Sequence, residues 1–241
     1  MDQLMIFAAI SAFFVKGMCG FANTLVFTTM TSFRYPNIDI TPVELIVGYP
    51  TNLVIAWKER KNTDIKIWLF PAILVCLGSI PGMLFLKNAN AQHIKLIFGM
   101  IVMILGAEML VREYYAGRGK SSKAVLFLIG ALSGLISGLY GIGALLAAYM
   151  SRTTKNSGAF KGNICIVFMI ENTFRIIIYL LSGIINKEVF VKAAYLMPFM
   201  AVGLAGGLMV SGFMPEKIIK RLVIIMLIIS GAALVIKNIS V

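Results

Sequence analysis

The sequence predicts an all-α polytopic integral membrane protein made of two inverted repeats. Three observations predict it: apolar runs of membrane-spanning length recur along the chain, charge is sparse and gathers between them, and the two halves repeat each other. Of 241 residues, 59% are hydrophobic and 13% charged, against about 45–50% and about 25% in soluble domains. Mean hydropathy is +0.91. About 20 apolar residues cross a hydrocarbon core of about 30 Å, and a helix apolar on every face is either core or membrane span. Eight apolar segments lie near 4–33, 40–57, 66–86, 91–111, 123–151, 162–185, 189–212 and 215–236. Nothing between them is long enough for a soluble motor or catalytic domain.

Segment one follows MDQLMIFAAI, which has no basic region or cleavage site of a signal peptide and is expected to be retained. It contains FVKGMCGFANTL (14–25), and segment five contains LISGLYGIGALL (135–146). Both are far longer than a single crossing needs, and both carry glycines at their centre. Each is either a long tilted helix or a re-entrant hairpin of about twelve residues in and about twelve back; backbone broken at that depth must be surrounded by protein or water. Segment two is flanked by Pro36 and Pro42 at its edge and carries Pro50-Thr51-Asn52. Pro50, Pro71, Pro81 and Pro198 lie within segments and predict kinks, whereas Pro215 stands at an edge. Glu44 and Glu108, near segment ends, read as interfacial, and His93 in NANAQH as solvated. Trp57, Trp68, Tyr114 and Tyr115 sit where an aromatic belt is expected.

At an offset of 121, Gly17 falls on Gly138 and Gly20 on Gly141; further on, at an offset of 120, GYPTNLV meets FMIENTF, with Asn52 on Asn172. At an offset of 125, Gly82 falls on Gly207, Lys95 on Lys220 and Gly106 on Gly231. The repeats are 1–118 and 119–241, forming one integrated membrane domain. Each would be a glycine-broken re-entrant or discontinuous helix plus three transmembrane helices, an organisation frequent in secondary transporters.

Loop charge bears on the topology. With Lys16 and Arg175 set aside as intramembrane, 20 of the 22 Lys and Arg remain. Eight crossings would divide them 11 against 9, whereas re-entrant segments one and five divide them 14 against 6. Basic residues gather on the cytoplasmic side, so the count favours hairpins, inverted halves and both termini outside. The net charge of +12 is thus a loop property. No basic stripe with interleaved aromatics offers nucleic acid a surface. GRGKSS (117–122) has Tyr114 where a phosphate loop needs glycine, which argues against ATP hydrolysis. The cysteines Cys19, Cys76 and Cys165 form no disulfide or zinc pattern. With no metal-ligand cluster and no nucleophile–base pair, the expectation is no enzyme, no cofactor and no metal.

A glycine turn that interrupts a helix frees N–H groups at the next half-helix, whose positive end binds anions. Gly17, Gly20, Gly138, Gly141 and Gly143 are therefore candidate substrate-binding positions; the competing reading is close packing through small residues. Glu171 and Arg175 lie four apart on one helical face inside an apolar run, and such charges face a cavity or a partner. Arg175 is the candidate anion-binding cation and Glu171 a coupling or gating group; otherwise they are a self-neutralised pair that holds helices together. Asn172 and Thr173 add hydrogen-bonding groups, Thr51 and Asn52 are their first-half counterparts, and Asn23 follows the first turn. Lys16 either adds charge to an anion site as a coupling or gating group, or snorkels to the interface.

FVKGMCGFANTLVF and GALSGLISGLYGIGALLAAYM, the latter followed by the basic SRTTKNSGAFKGN, resemble the paired glycine motifs of the sulfite exporter TauE/SafE family, also called the toluenesulfonate uptake permease family. The resemblance spans essentially the whole chain. It implies passage of small sulfur-containing or organic anions such as sulfite or sulfonates, with Gly17, Gly20, Gly138, Gly141 and Gly143 carried over by motif. The chain departs from the pattern at Ala144-Leu145-Leu146, where a further glycine and prolines are usual, and at Ala22-Asn23. The expected function is secondary transport of small anions by alternating access, in the plasma or inner membrane. The partners are the anionic substrate and the bilayer, with proton or ion coupling and a homodimer left open and nucleic acid excluded. The alternatives are a non-transporting scaffold or assembly factor, and a passive anion channel.

Overall fold

The structure, a computed structural model, describes residues 2–32, 34–88 and 156–213, with single residues between 96 and 111, 146 and 154, and 215 and 236. Every regular element among them is helical. Helix α1 is Gln3–Cys19, α2 Asn23–Ser32, α3 Asn37–Lys58, α4 Ile65–Asn88, α5 Ser157–Leu181 and α6 Lys187–Val210, with a 3₁₀ turn at Arg60–Asn62. Three of these, α4, α5 and α6, are long and apolar enough to cross a membrane.

The first segment is a hairpin. Asp2 caps α1, its Oδ1 accepting from the Leu4 N–H. Gly20 ends α1 in the left-handed region at φ 84, its N–H donating to the Lys16 carbonyl at 2.6 Å. Ala22 follows with φ 73, a conformation a side-chain-bearing residue adopts only at a cost. The chain then returns as α2. Asp2, at the entry, pairs with Arg34 at 2.6 Å and accepts from the Tyr35 hydroxyl at 3.1 Å, so entry and exit lie together. The arms are 17 and 10 residues rather than twelve each. The return arm is rich in threonine yet buried. Thr28, Thr29 and Thr31 donate their hydroxyls to the carbonyls of Thr24, Leu25 and Phe27, which satisfies them within the helix.

The hairpin leans on α6 through glycine. A methyl group on Gly203 or Gly207 would run into the carbonyl oxygens of Ile10 and Phe14, and one on Gly17 would lie 2.6 Å from the Leu204 oxygen. The register rises together on both helices, so α1 and α6 run parallel with backbones in contact, the use small residues have between membrane helices.

Helices α3 and α5 run antiparallel. Tyr49 Oη and Thr173 Oγ1 are 3.0 Å apart, and farther along Asn163 Oδ1 accepts from the Asp64 N–H at 2.9 Å. The 59–63 turn packs on Gly158 and Gly162. The 59–64 connection and the start of α5 therefore share one end of the molecule, with the hairpin tip, where Phe21 and Phe160 meet edge-to-face at 5.8 Å. The hairpin opening and the start of α3 lie at the other end. Eight crossings would put the 58–65 and 152–161 connections on opposite sides; the structure puts the described part of them on one. The outer faces of α4 and α6 are apolar, with Leu69, Phe70, Ile73, Leu77, Val191, Val202 and Met209 exposed, while polar residues are turned inward.

Two expectations need correction. Helix α3 starts at Asn37 behind Pro36, so Pro42 lies inside the helix and not at its edge. Pro50, Pro71, Pro81 and Pro198 lie within helices, as expected. Glu44 is not interfacial: two turns into α3, it is buried. Most of segments 91–111, 123–151 and 215–236, with His93, Glu108, Gly138, Gly141 and Gly143, lies outside the described residues.

Candidate functional site

The helix break brings a polar centre together inside the bundle. Lys16, Glu44, Asn52, Glu171 and Arg175 are each no more than 3% exposed. Lys16 stands one turn before the break, near the negative end of α1, where a cation is favoured. Its Nζ donates to Asn52 Oδ1 at 2.7 Å, and its burial rules out snorkelling. Glu44, Gly48 and Asn52 follow at intervals of four along one face of α3. Glu44 reaches the first two residues of α2: one carboxylate oxygen accepts from Asn23 Nδ2, the other from Thr24 Oγ1 at 2.8 Å. Gly48 leaves room for this, since a methyl group there would lie 3.1 Å from both the Asn23 amide nitrogen and Glu44 Oε1.

Helix α5 supplies the other side. Arg175 Nε is 3.5 Å from Glu171 Oε1, one turn back on the same face. Its Nη2 donates to the Tyr179 hydroxyl at 3.3 Å, and its guanidinium lies 5.4 Å from the centre of that ring. Glu44 interacts electrostatically with both Lys16 and Arg175, which links the two sides. Among the described residues the buried Lys, Arg, Asp and Glu side chains are two cations and two carboxylates.

Three buried side-chain atoms are unmatched among the described residues, Thr41 Oγ1 on α3 and two in this centre. Asn52 Nδ2 and Arg175 Nε have no hydrogen-bond partner among the described residues. An amide or guanidinium N–H left bare in the interior costs about 1–3 kcal/mol, and natural folds seldom keep such groups without a ligand or water to meet them. Lys16, with three N–H bonds, also holds donor capacity beyond Asn52. The centre thus holds donors that its described neighbours do not meet.

Of the residues expected from sequence, Lys16, Asn23, Asn52, Glu171 and Arg175 fall in this centre. Thr51 is buried beside it and donates to the Gly48 carbonyl at 2.5 Å, while Asn172 is half-buried on a flank of α5. Gly20 makes the turn; a methyl group there would meet the Lys161 side chain at 2.7 Å. Gly17 faces α6. Sequence reasoning missed Glu44, Thr24 and Tyr179. The 44–48–52 spacing and the tyrosine one turn beyond Arg175 were the available signals.

Apolar outer faces, a broken helix and buried charge at the break define an integral membrane protein built around an internal polar centre, the construction of transporters. The chain matches the family described as Sulfite exporter TauE/SafE over residues 5–234. It belongs to that family of membrane transporters. No match is found among curated proteins or among solved structures.

Proposed function

We propose that this chain is a secondary transporter of small sulfur-containing anions, sulfite or sulfonates, which bind between the hairpin, α3 and α5. The observation that carries the reading is the unmatched donor pair, Asn52 Nδ2 and Arg175 Nε, beside buried Lys16. A sulfur oxyanion offers acceptor oxygens and a charge, and charge-assisted bonds to it are roughly twice as strong as neutral ones. The family supports the substrate class. Gly17 and Gly20 serve by placing the α1 break beside α6 and α5, and Glu171 serves by holding Arg175. Gly138, Gly141 and Gly143 would supply the equivalent break of the second half.

Access alternates when the hairpin and α6, locked backbone to backbone, shift against the α3–α5 pair. The antiparallel α3 and α5 are what an inverted repeat requires of equivalent helices. Basic Lys58, Arg60, Lys61 and Lys66 cluster at the end that holds the 59–64 connection, which orients that end to the cytoplasm of a cell membrane. The test is uptake by purified protein in proteoliposomes across a panel of labelled sulfite, sulfonates, sulfate and chloride. Saturable flux of sulfite or sulfonate, inhibited by the other, is expected. Flux no greater than in protein-free vesicles for every anion would refute the reading in favour of a scaffold.

A further inference from the structure

We infer that Glu44 is the proton carrier of this transporter: its carboxylate holds the start of α2 while no substrate is present and yields it on protonation. The inference rests on reading the buried centre as an anion site. It starts from where Glu44 is. Its two oxygens are bound by the side chains of Asn23 and Thr24, the first residues of α2, so a tethered carboxylate occupies the positive end of the second half-helix. An arriving anion would seek the same donors.

Charge balance supplies the second step. Lys16, Arg175, Glu44 and Glu171 are the buried Lys, Arg, Asp and Glu side chains among the described residues, and their charges sum to zero. A monovalent anion entering alone leaves an excess negative charge in a poorly polarisable interior, which is costly. One proton on a carboxylate removes the excess. Glu171 is ion-paired with Arg175 on its own helix, whereas the hydrogen bonds that Glu44 accepts come from neutral donors. Lys16 of α1 and Arg175 of α5 act on Glu44 from two sides, and each is engaged elsewhere, by Asn52 and by Glu171 and Tyr179. Helix α6, packed against α3, buries only apolar residues. Protonating Glu44 thus does two things: it restores neutrality, and it weakens the charge-assisted grip on Asn23 and Thr24, freeing them for the substrate. The proton comes from water on the open side, adds to a carboxylate oxygen, and is lost to water on the other side as the anion leaves. Anion and proton move in the same direction.

A sulfonate is the right probe, because it stays ionised at working pH and any proton moved with it belongs to the protein. Sulfonate added to wild-type protein in weakly buffered detergent solution should draw a proton from solution per anion bound, read with a pH indicator. Affinity should rise about tenfold per unit fall in pH while Glu44 remains ionised in the free protein. Glu44→Gln should bind sulfonate with no proton uptake and a flat pH profile, and should not accumulate it in vesicles under an inward proton gradient. Equal proton uptake by Glu44→Gln, or wild-type binding with none, overturns the inference while leaving the anion site standing. If Glu44→Gln does not fold, the wild-type proton count decides alone. Wild type that binds neither sulfonate nor sulfite refutes the anion reading itself, and this inference with it.

Discussion

Arg175 carries more of this centre than any other side chain, because its Nε is ion-paired without being hydrogen-bonded. Its charge is matched by Glu171 at 3.5 Å while Nε has no hydrogen-bond partner among the described residues. Removing one partner of a buried pair strands the other, at about 3–5 kcal/mol. Arg175→Gln should therefore lower the thermal midpoint in detergent and abolish anion binding. Adding Glu171→Gln should restore the midpoint and leave binding lost; recovery of both together would make the pair purely structural. Arg175 and Glu171 were legible in the sequence because charge inside an apolar run is conspicuous. Glu44 was not. Its distance from the membrane boundary depends on where α3 begins, and the polar residues Asn37 and Asp39 hid the first turns of the helix. Lys16 was legible only as a choice, since snorkelling and burial both fit a cation at a helix end.

Among the elements, the hairpin depends on two glycines for different reasons. Gly17 lies against backbone atoms of α6, 2.6 Å from where its methyl group would be, and neither helix backbone can yield. Gly17→Ala should force α1 from α6, costing at least the about 1–3 kcal/mol typical of overpacking. Gly20 needs its left-handed conformation, which a β-carbon makes worse by about 1–2 kcal/mol, but its neighbour is the movable Lys161 side chain. At this position Asn, tolerant of that conformation, should be milder than Ala, and Ala milder than Val. Thermal midpoints of the four variants check the order; equal losses at the two positions would remove the distinction. The sequence marked both glycines without separating them, because the partner of Gly17 lies on α6, nearly 190 residues further along the chain.

Across the whole molecule, the charge count between apolar segments was the informative feature, because a hairpin reverses the side of every later loop. In a background lacking the native cysteines, single cysteines replacing Arg34 and Lys187 should react with an impermeant thiol reagent from one face. Those replacing Lys61 and Ser157 should react from the other. Reaction of positions 61 and 157 from opposite faces would restore eight crossings. Five of the eight apolar segments match described helices closely. The sequence reading put candidate residues on segments one, two and six; what it could not supply was the contacts that join them, Lys16 to Asn52 and Glu44 to Asn23 and Thr24, since polar contacts between distant segments leave no trace in hydropathy.

The most direct test of the anion site changes one atom group without removing a contact. Asn52→Asp keeps the shape of the side chain and gives Lys16 an ionic partner in place of an amide oxygen 2.7 Å away, so the fold should hold. It also replaces a bare donor with negative charge where the anion is to bind. Sulfite and sulfonate flux should be measured in proteoliposomes for wild type and Asn52→Asp, with the thermal midpoint of each as the control for folding. The account requires a midpoint equal to or above wild type and flux reduced to the protein-free background. A folded Asn52→Asp variant that moves these anions at the wild-type rate would contradict it.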